Sequence, residues 1–343
     1  MLTEAGKMYR YGEGRRVVAI GGGTGLSTLL RGIKLWTENL TAVVSMADDG
    51  GSSGRLRDEM KMPPPGDVRA CLVALSDADP QMQELFDHRF ESESPLGGHN
   101  LGNLILAALR EEHGSFREGL EVAARLLAVR GAVVPATNHL APVLMGETVS
   151  GAVLRGESAV GLAPELIRRI WLEPEDAVAS EDALAAIRQA DLIVIGPGSL
   201  YTSILPSFLL PGFAEAVAAS DAPKVLVCNV ATQRHETDGF AAADHLEVFE
   251  AHSGVSVSHF LVNSNPRDVP EKRDQDAVPL VSSVDGFDGV LVAADVVDNT
   301  NPVRHDPFKL ADALMGIVRG NAGAARDSRP ADSSCPVSAG RES

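Results

Sequence analysis

Two glycine-rich turns follow apolar segments of the chain, and both combine the residue types that bind phosphate groups. The first turn follows the apolar run 17–20 and contains Gly22, Gly23, Thr24 and Gly25. The second follows the run 191–195 and contains Gly196, Gly198, Ser199, Tyr201 and Thr202. Glycines let a ligand approach the backbone, while helix-initial N–H groups and hydroxyls donate hydrogen bonds to phosphate oxygens. We therefore expect the chain to bind a nucleotide or a sugar phosphate.

Each turn also has a simpler interpretation, and neither matches the best-known nucleotide motifs. The first could be a tight turn that serves packing alone, and the second a well-capped helix start. No lysine follows Gly25 at the spacing of a Walker loop, and the dinucleotide pattern G-x-G-x-x-G fails at Leu26 or Thr28. The sequence therefore favours neither an ATPase motor nor an ordinary dehydrogenase.

An acidic pair, Asp48 and Asp49, follows the apolar segment 40–46 and provides the candidates for a catalytic residue. Asp48 lies 25 residues after Gly23, near the position at which a dinucleotide fold places its ribose-binding acid. The pair could instead hold a divalent ion such as Mg²⁺ or act as a base, and its simplest interpretation is an Asp-Gly turn. Glycines and serines on both sides of the pair favour a functional role.

Further polar side chains collect where predicted helices begin. Asp67 is placed to cap a helix that begins at Val68, and a catalytic role is no better supported than this cap. His99, Asn100 and Asn103 open another helix. Asn100 is a good N-cap for it, while His99 and Asn103 could face a pocket or serve the structure alone.

Amide, hydroxyl and cationic side chains follow the later predicted strands. Asn229, Thr232 and Gln233 can read a base or a sugar hydroxyl through paired donor and acceptor groups. Arg304 lies just before a helix whose first turn contains Pro307. Its guanidinium could form hydrogen bonds to both phosphates of a diphosphate. The alternative, of equal weight, is an ion pair with an acidic side chain on the protein surface.

The order of apolar and amphipathic segments predicts the scaffold that brings these residues together. Predicted strands cover 17–20, 40–46, 191–195, 224–228, 259–263 and 290–293. Predicted helices cover 26–35, 68–76, 101–112, 116–128, 180–189, 207–219, 240–251 and 307–318. This alternation predicts an α/β fold with a mostly parallel sheet, helices on both faces and a small antiparallel insert near 143–158. Ligands of such sheets bind outside the carboxyl ends of the strands.

Composition limits the class of protein further. The 343 residues carry a formal net charge of −17 and only 4% aromatic residues, which argues against nucleic acid as a partner. Three separated cysteines suit a reducing cytoplasm, and prolines interrupt the longest apolar stretch, 192–219, so we expect no membrane insertion. We expect a flexible arm over 1–14, one α/β domain over 15–319 and a disordered tail over 320–343.

Several of these motifs, in this order, resemble the YvcK family, whose bacterial members are called gluconeogenesis factors. The matching segments are 21–25, 48–54, 64–69, 98–103, 196–203, 229–233 and 304–306. The resemblance covers about residues 15–319 and extends to the wider CofD-like superfamily, which includes 2-phospho-L-lactate transferases. Those transferases have a different sequence around the acidic turn, where this chain matches the YvcK branch.

The resemblance implies a Rossmann-like core with additional elements, and it implies ligand-binding roles for the Gly22–Gly25 loop, the Gly196 loop, Asn229 and Arg304. It also implies a regulatory protein that binds UDP-N-acetylglucosamine or UDP-glucose and links growth on gluconeogenic carbon to envelope synthesis and cell shape. No settled catalytic activity belongs to that branch. We therefore expect a cytoplasmic UDP-sugar-binding protein with an unidentified protein partner.

Two other functions stay open from the sequence. The first is a nucleotide-diphosphate-dependent transferase that resembles 2-phospho-L-lactate transferase, with Asp48 or Asp49 as base or Mg²⁺ ligand. The second is an interaction scaffold that binds no small molecule. A homo-oligomer is compatible with all three.

Overall fold

The computed structural model describes residues 14–91, 93–138, 142–269, 275–279, 281 and 283–327. Almost all of the predicted N-terminal arm, and the tail from residue 328, lie outside the described residues. The last helix ends at Asp327, so the predicted domain boundary at residue 320 falls within a helix.

The described residues contain ten β-strands and twelve α-helices. The strands are β1 (Val17–Gly21), β2 (Leu40–Val44), β3 (Ala132–Pro135), β4 (Val143–Thr148), β5 (Val153–Arg155), β6 (Ile167–Glu173), β7 (Leu192–Ile195), β8 (Lys224–Val227), β9 (His259–Asn263) and β10 (Val290–Ala294). The helices are α1 (Gly23–Ile33), α2 (Gly51–Met60), α3 (Gly66–Leu75), α4 (Pro80–Asp87), α5 (Leu101–His113), α6 (Phe116–Leu126), α7 (Glu157–Gly161), α8 (Glu181–Gln189), α9 (Leu205–Phe208), α10 (Phe213–Ala219), α11 (Ala242–Ser253) and α12 (Pro307–Asp327).

Seven strands form one parallel sheet in the order β10-β9-β8-β7-β1-β2-β3. Its central strands β1 and β7 are continuous apolar runs with every residue buried, as expected for a sheet covered on both faces. The chain moves from β1 outwards to β3 and then returns to β7 on the other side of β1. The strand order therefore reverses between β1 and β7, which is where open α/β sheets bind their ligands.

Helices cover both faces of this sheet, which confirms the predicted α/β architecture. One core joins the sheet to α1, α3, α5, α6 and α12. The other core joins the opposite face to α8, α9, α10 and α11 and to the small sheet. The contact between α1 and α12 is so close that a methyl group added at Gly32 would lie 1.9 Å from the Pro307 carbonyl oxygen.

The predicted antiparallel insert is present, and it is larger than the sequence pattern indicates. β4 pairs with β5 as expected, and β6 adds a third antiparallel strand on the other side of β4. The connection from β5 contains the short helix α7, which begins at Glu157. The insert thus places α7 beside the main sheet.

Four further elements differ from the predictions for local reasons. The helix predicted over 207–219 is divided into α9 and α10, because Gly212 at φ 84° separates them, and a π-helical turn (Leu200–Ile204) precedes α9. The sequence patterns missed α2, which contains two glycines and two serines, and α4, which is only eight residues long. They also missed β3, a four-residue edge strand that ends in proline.

Among the described residues, no single helix has the length and apolar composition needed to cross a membrane. One pair, Leu200–Phe208 and Phe213–Ala219, meets that test only when taken together across an 80° bend.

Candidate functional site

A cavity of about 380 Å³ lies outside the carboxyl ends of β1, β2, β7 and β8, at the reversal of strand order. Its volume falls within the range typical of small-molecule sites, roughly 300–1,000 Å³. Residues from most of the predicted loops meet there although they are far apart in the sequence. The predicted site residues in its lining are Gly22, Gly23, Thr24, Gly25, Asp48, Asp67, Gly198, Ser199, Thr202, Asn229, Gln233 and Arg304.

The two glycine-rich loops pack directly against each other across the middle of the cavity. α1 begins at Gly23 without a side-chain cap, so the first N–H groups of this helix are available to a ligand or a neighbouring carboxylate. A methyl group added at Gly25 would lie 2.3 Å from the Pro197 carbonyl oxygen. Only glycine at position 25 permits this approach of the two loops without displacing the backbone.

The amide side chains predicted to read a base also hold the second loop in place. Asn229 Oδ1 accepts a hydrogen bond from Gly198 N–H at 3.3 Å, and Asn229 Nδ2 donates one to Gly198 C=O at 2.9 Å. Gln233 Oε1 lies 2.8 Å from Ser199 Oγ. Both amides therefore fix the geometry of residues that line the cavity, and a ligand would meet a loop that is already ordered.

Three carboxyl groups line the cavity towards the β2 side of the sheet. Asp48 comes from the loop after β2, Asp67 from the first turn of α3, and Glu157 from the start of α7. Burial and the Asp48 charge raise the pKa of Asp67 to about 7. Burial, together with Asp48, Asp49, Asp67 and Glu236, raises the pKa of Glu157 to about 8. This side of the cavity thus resists additional negative charge.

Asp67 does not cap its own helix, which corrects the prediction from the sequence. α3 begins at Gly66, one residue before Asp67, and has no side-chain cap. The carboxylate instead accepts a hydrogen bond from the backbone of Gly23, which lowers the pKa of Asp67 and partly offsets the effect of burial. Asp67 therefore contacts the N-terminus of α1 and lies within the cavity.

Asp49 has a structural role that the sequence leaves open. Its Oδ1 accepts hydrogen bonds from Ser158 N–H at 2.9 Å and from Ser158 Oγ at 2.6 Å. These bonds attach α7 to the acidic turn. Of the two predicted catalytic candidates, Asp48 lines the cavity and Asp49 does not.

Glu236 is a buried carboxyl group behind the second glycine-rich loop. Its Oε1 accepts a hydrogen bond from Thr202 Oγ1 at 2.8 Å, while its Oε2 has no partner. Burial raises the pKa of Glu236 to about 7, although Thr202 and the backbone of Tyr201 and Leu200 favour the charged form. Glu236 therefore supports Thr202 from behind and remains costly to ionise.

Arg304 and His305 line the opposite side of the cavity. Among the lining residues that the structure describes, Arg304 is the one with a cationic side chain. His305 Nε2 lies 3.1 Å from the Cys228 carbonyl oxygen, to which it donates a hydrogen bond. Burial lowers the pKa of His305 to about 4, so this imidazole is neutral at physiological pH.

Seven predicted site residues do not line the cavity. The buried side chains of His99 and Asn103 both contact Ser52 Oγ at 3.2 Å, and Asn100 caps α5 as predicted. Tyr201 is buried, and Thr232 holds Asp276 through a backbone and a side-chain hydrogen bond. The residues outside the lining are Asp49, His99, Asn100, Asn103, Gly196, Tyr201 and Thr232.

Several lining residues were not predicted from the sequence. They include Thr28, Ser45, Glu157, Gln275 and His305. Thr28 lies four residues after Thr24, so helical periodicity could have identified it. Glu157 and Gln275 carry no local signal because distant segments bring them to the cavity.

Binding of Mg²⁺ by the acidic residues stays a prediction, because the geometry of the site does not test it. Among the described residues, no group of three or more His, Cys, Asp or Glu side chains is arranged to hold a metal ion. Asp48 and Asp67 could supply carboxylate oxygens to a cation that a ligand also coordinates.

The buried carboxyls predict that the free energy of unfolding falls as the pH rises from about 6.5 to about 8. Glu236, Asp67 and Glu157 have raised pKa values, so the folded state retains protons that the unfolded chain has already released in this range. Their stabilisation is complete below the ordinary carboxyl pKa and is lost as the pH passes the raised values. Below about pH 6.5 the lowered pKa of His305 acts in the opposite direction, because the unfolded chain protonates an imidazole that the folded state keeps neutral. Denaturant unfolding at a series of pH values measures this dependence.

Glu236→Gln should reduce this pH dependence because the variant has no carboxyl group to titrate at that position. Glu175→Gln, at an exposed position outside the cavity lining, is the matched control and should retain the dependence of the unchanged protein. An identical slope in Glu236→Gln and in the unchanged protein would contradict the prediction.

The fold and the cavity define an open parallel α/β protein with a polar cavity at the topological switch point. The family described as 2-phospho-L-lactate transferase CofD matches residues 17–319. A gluconeogenesis factor from Halalkalibacterium halodurans is 45% identical over 309 residues, covering 88% of this chain and 96% of that protein. A gluconeogenesis factor from Bacillus subtilis is 43% identical over 316 residues, covering 90% and 99%.

Solved structures give the same assignment. A crystal structure of a Bacillus halodurans protein superposes with a TM-score of 0.85 at 44% identity, covering 88% of this chain and 100% of that one. A second crystal structure, described as a member of the UPF0052 family from the same organism, has a TM-score of 0.82 at 43% identity. The chain belongs to the CofD-like family, within its gluconeogenesis factor branch.

Proposed function

We propose that this protein is a cytoplasmic regulatory protein that binds a UDP-sugar in the cavity at the β1–β7 switch point. The proposal rests above all on the two apposed glycine-rich loops. They bring helix-initial N–H groups and the Thr24 hydroxyl to one space, which suits a diphosphate, while the hydroxyls of Ser199 and Thr202 are bonded to Gln233 and Glu236. Arg304 adds a cation on the same cavity, as a diphosphate requires.

The extent of the cavity supports a ligand with three parts. Its lining reaches from the loop after β8, across β7 and β1, to the loop after β2. Three spacings between neighbouring strands give a length of about 14 Å, which accommodates a nucleoside diphosphate with a sugar attached. The diphosphate would lie on the central loops, with the base on the β8 side and the sugar on the β2 side.

The β8 side suits a pyrimidine base in this arrangement. Val230, Ala231 and Val303 supply apolar lining there, and Gln275 supplies an amide. Gln275 Nε2 already donates to the Thr232 carbonyl at 3.0 Å, which leaves its Oε1 to accept a hydrogen bond from a base N–H.

The regulatory role is the part of the proposal that depends on the family. Gluconeogenesis factors are the relatives that this chain matches over most of its length. We propose that the bound UDP-sugar reports the supply of envelope precursors to a protein partner, and so links gluconeogenic growth to cell shape.

A second candidate function is transfer of a phosphorylated group from a nucleoside diphosphate donor. The description of the matching family as 2-phospho-L-lactate transferase supports it. Asp48 lies in the cavity and is the described residue best placed to act as base or Mg²⁺ ligand in such a reaction.

Calorimetric titration with UDP-N-acetylglucosamine, UDP-glucose, UDP and GDP, with and without Mg²⁺, tests the proposal. We expect saturable binding of a UDP-sugar, and chromatography of the mixture should recover that ligand intact. Preference for GDP, or conversion of a ligand, would support the transferase instead. Failure of every nucleotide to bind would contradict both functions.

A further inference from the structure

The small antiparallel sheet has an inner face and an outer face of different character. Its inner side chains pack against one of the two hydrophobic cores, and they are Leu144, Leu154, Ile170 and Leu172. The side chains that alternate with these along β4, β5 and β6 lie on the opposite, outer face. We call this outer face the insert face, and its residues are Met145, Glu147, Val153, Arg155, Arg169 and Trp171.

The insert face combines apolar side chains with charged ones, whereas a solvated sheet face is normally polar. Met145 and Trp171 oppose each other on β4 and β6, and neither belongs to the two cores that the described residues form. Val153 on β5 is exposed. Val149 and Leu166, joined by a backbone hydrogen bond of 3.0 Å, add exposed apolar side chains beside the same sheet. Tryptophan, methionine and arginine together are typical of a protein-binding surface.

The charge that the insert face presents to solvent is positive. Arg169 and its neighbour Arg168 both pair with Glu147, whose side chain is only 10% exposed, whereas the two arginine side chains are 63% and 59% exposed. Arg155 is equally exposed and pairs with Glu173 at the end of β6. The face is therefore a local positive region on a chain whose formal net charge is −17.

A partner that covers these arginines must replace the water around them with hydrogen-bond acceptors, and carboxylates form the strongest such bonds. We propose that the insert face binds an acidic segment of a partner protein, with apolar side chains of that segment on Trp171 and Val153. Tryptophan and arginine are the residue types that contribute most to binding at protein interfaces. The surface lies outside the cavity lining, so the inference holds whatever ligand the cavity binds.

Two other occupants fit the insert face less well. A short acidic segment can approach the arginines alone, whereas an anionic membrane would also meet the negative charge of the rest of the chain. A second copy of the chain would bring the same net charge with it, and two insert faces packed together would place arginines against arginines.

Trp171 provides a direct probe of the insert face, because the chain contains two tryptophans and the other, Trp36, packs against the core on the far side of the main sheet. A random-peptide library displayed on phage is selected against the unchanged full chain, and the enriched peptides are synthesised. We expect these peptides to carry net negative charge together with aromatic or aliphatic side chains. In Trp36→Phe, where Trp171 alone reports, their binding should change the tryptophan fluorescence.

Arg155→Glu should weaken binding of the enriched peptides by about 10-fold or more, because it places a like charge against the acidic segment. Val153→Ser removes apolar area without changing the charge and should weaken binding by about 3-fold. Both side chains are exposed, so neither substitution should disturb folding. Arg188→Glu makes the same charge reversal at an exposed position on α8 and should bind like the unchanged protein.

Four results would overturn the inference. The first is a selection that enriches no peptides, or peptides without acidic residues, and the second is equal binding of the peptides by Arg155→Glu and the unchanged protein. The third is binding to phosphatidylglycerol vesicles that Arg155→Glu abolishes, which would assign the face to a membrane. The fourth is self-association in sedimentation that Arg155→Glu abolishes, which would assign it to a second copy.

Discussion

Gly25→Ala should abolish tight ligand binding and destabilise the protein by about 1–3 kcal/mol, the usual cost of overpacking a close contact. The added methyl group would lie 2.3 Å from the carbonyl oxygen and 2.7 Å from the carbonyl carbon of Pro197. Both atoms belong to the backbone, so no side chain can move to relieve the clash. The two glycine-rich loops must separate, and with them the N–H and hydroxyl groups that we propose bind the diphosphate.

Gly316→Ala is the matched control for this prediction. Gly316 is exposed in α12, and a methyl group added there meets no atom within 4 Å. Since alanine is a better helix former than glycine, this variant should be unchanged or more stable by about 0.5–1 kcal/mol. Thermal unfolding and UDP-sugar titration of both variants measure the contrast. Similar behaviour of the two variants would show that the loops do not need their close approach.

Arg304→Ala should weaken binding of a UDP-sugar by roughly 10- to 150-fold, which corresponds to the loss of a charged hydrogen bond worth about 1.5–3 kcal/mol. Arg304 is the cationic side chain among the described residues of the cavity lining, and it faces a site with three carboxyls. Because its side chain is exposed, the substitution should leave the free energy of unfolding nearly unchanged. Calorimetric titration and denaturant unfolding measure the two effects separately.

Arg304→Lys distinguishes charge from geometry at the same position. Lysine keeps the positive charge but cannot form the two parallel hydrogen bonds of a guanidinium, so we expect an intermediate affinity. Arg188→Ala removes an exposed arginine of α8 that does not line the cavity, and it should bind like the unchanged protein. Full affinity in Arg304→Ala would exclude Arg304 from the binding site.

The sequence predicted the loops of the site more reliably than the contacts that their side chains make. The apolar runs of β1 and β7 and the glycines after them are local patterns, and both loops line the cavity. Asn229 and Gln233 also line the cavity. Their hydrogen bonds to Gly198 and Ser199 could not be predicted, because those partners lie 31 and 34 residues away in the chain.

For polar residues at helix starts, too, the sequence predicts the position of a side chain but not its hydrogen-bond partner. Asn100 caps α5 as its position predicts, since a cap depends on the next three residues alone. Asp67, at a similar position, contacts the backbone of Gly23 on another helix. A sequence pattern indicates that such a side chain is suited to an N–H partner, and tertiary packing determines which partner it contacts.

By itself, the sequence determined the α/β class, the parallel sheet and the two glycine-rich loops, because burial of apolar runs and the backbone freedom of glycine are local properties. Only the tertiary structure decided which polar groups share one cavity. The bond between Asp49 and Ser158 spans 109 residues, and it brings Glu157 from the antiparallel insert to the carboxyl ends of the sheet. Such a contact depends on how distant elements pack, and no local spacing of residue types contains that information.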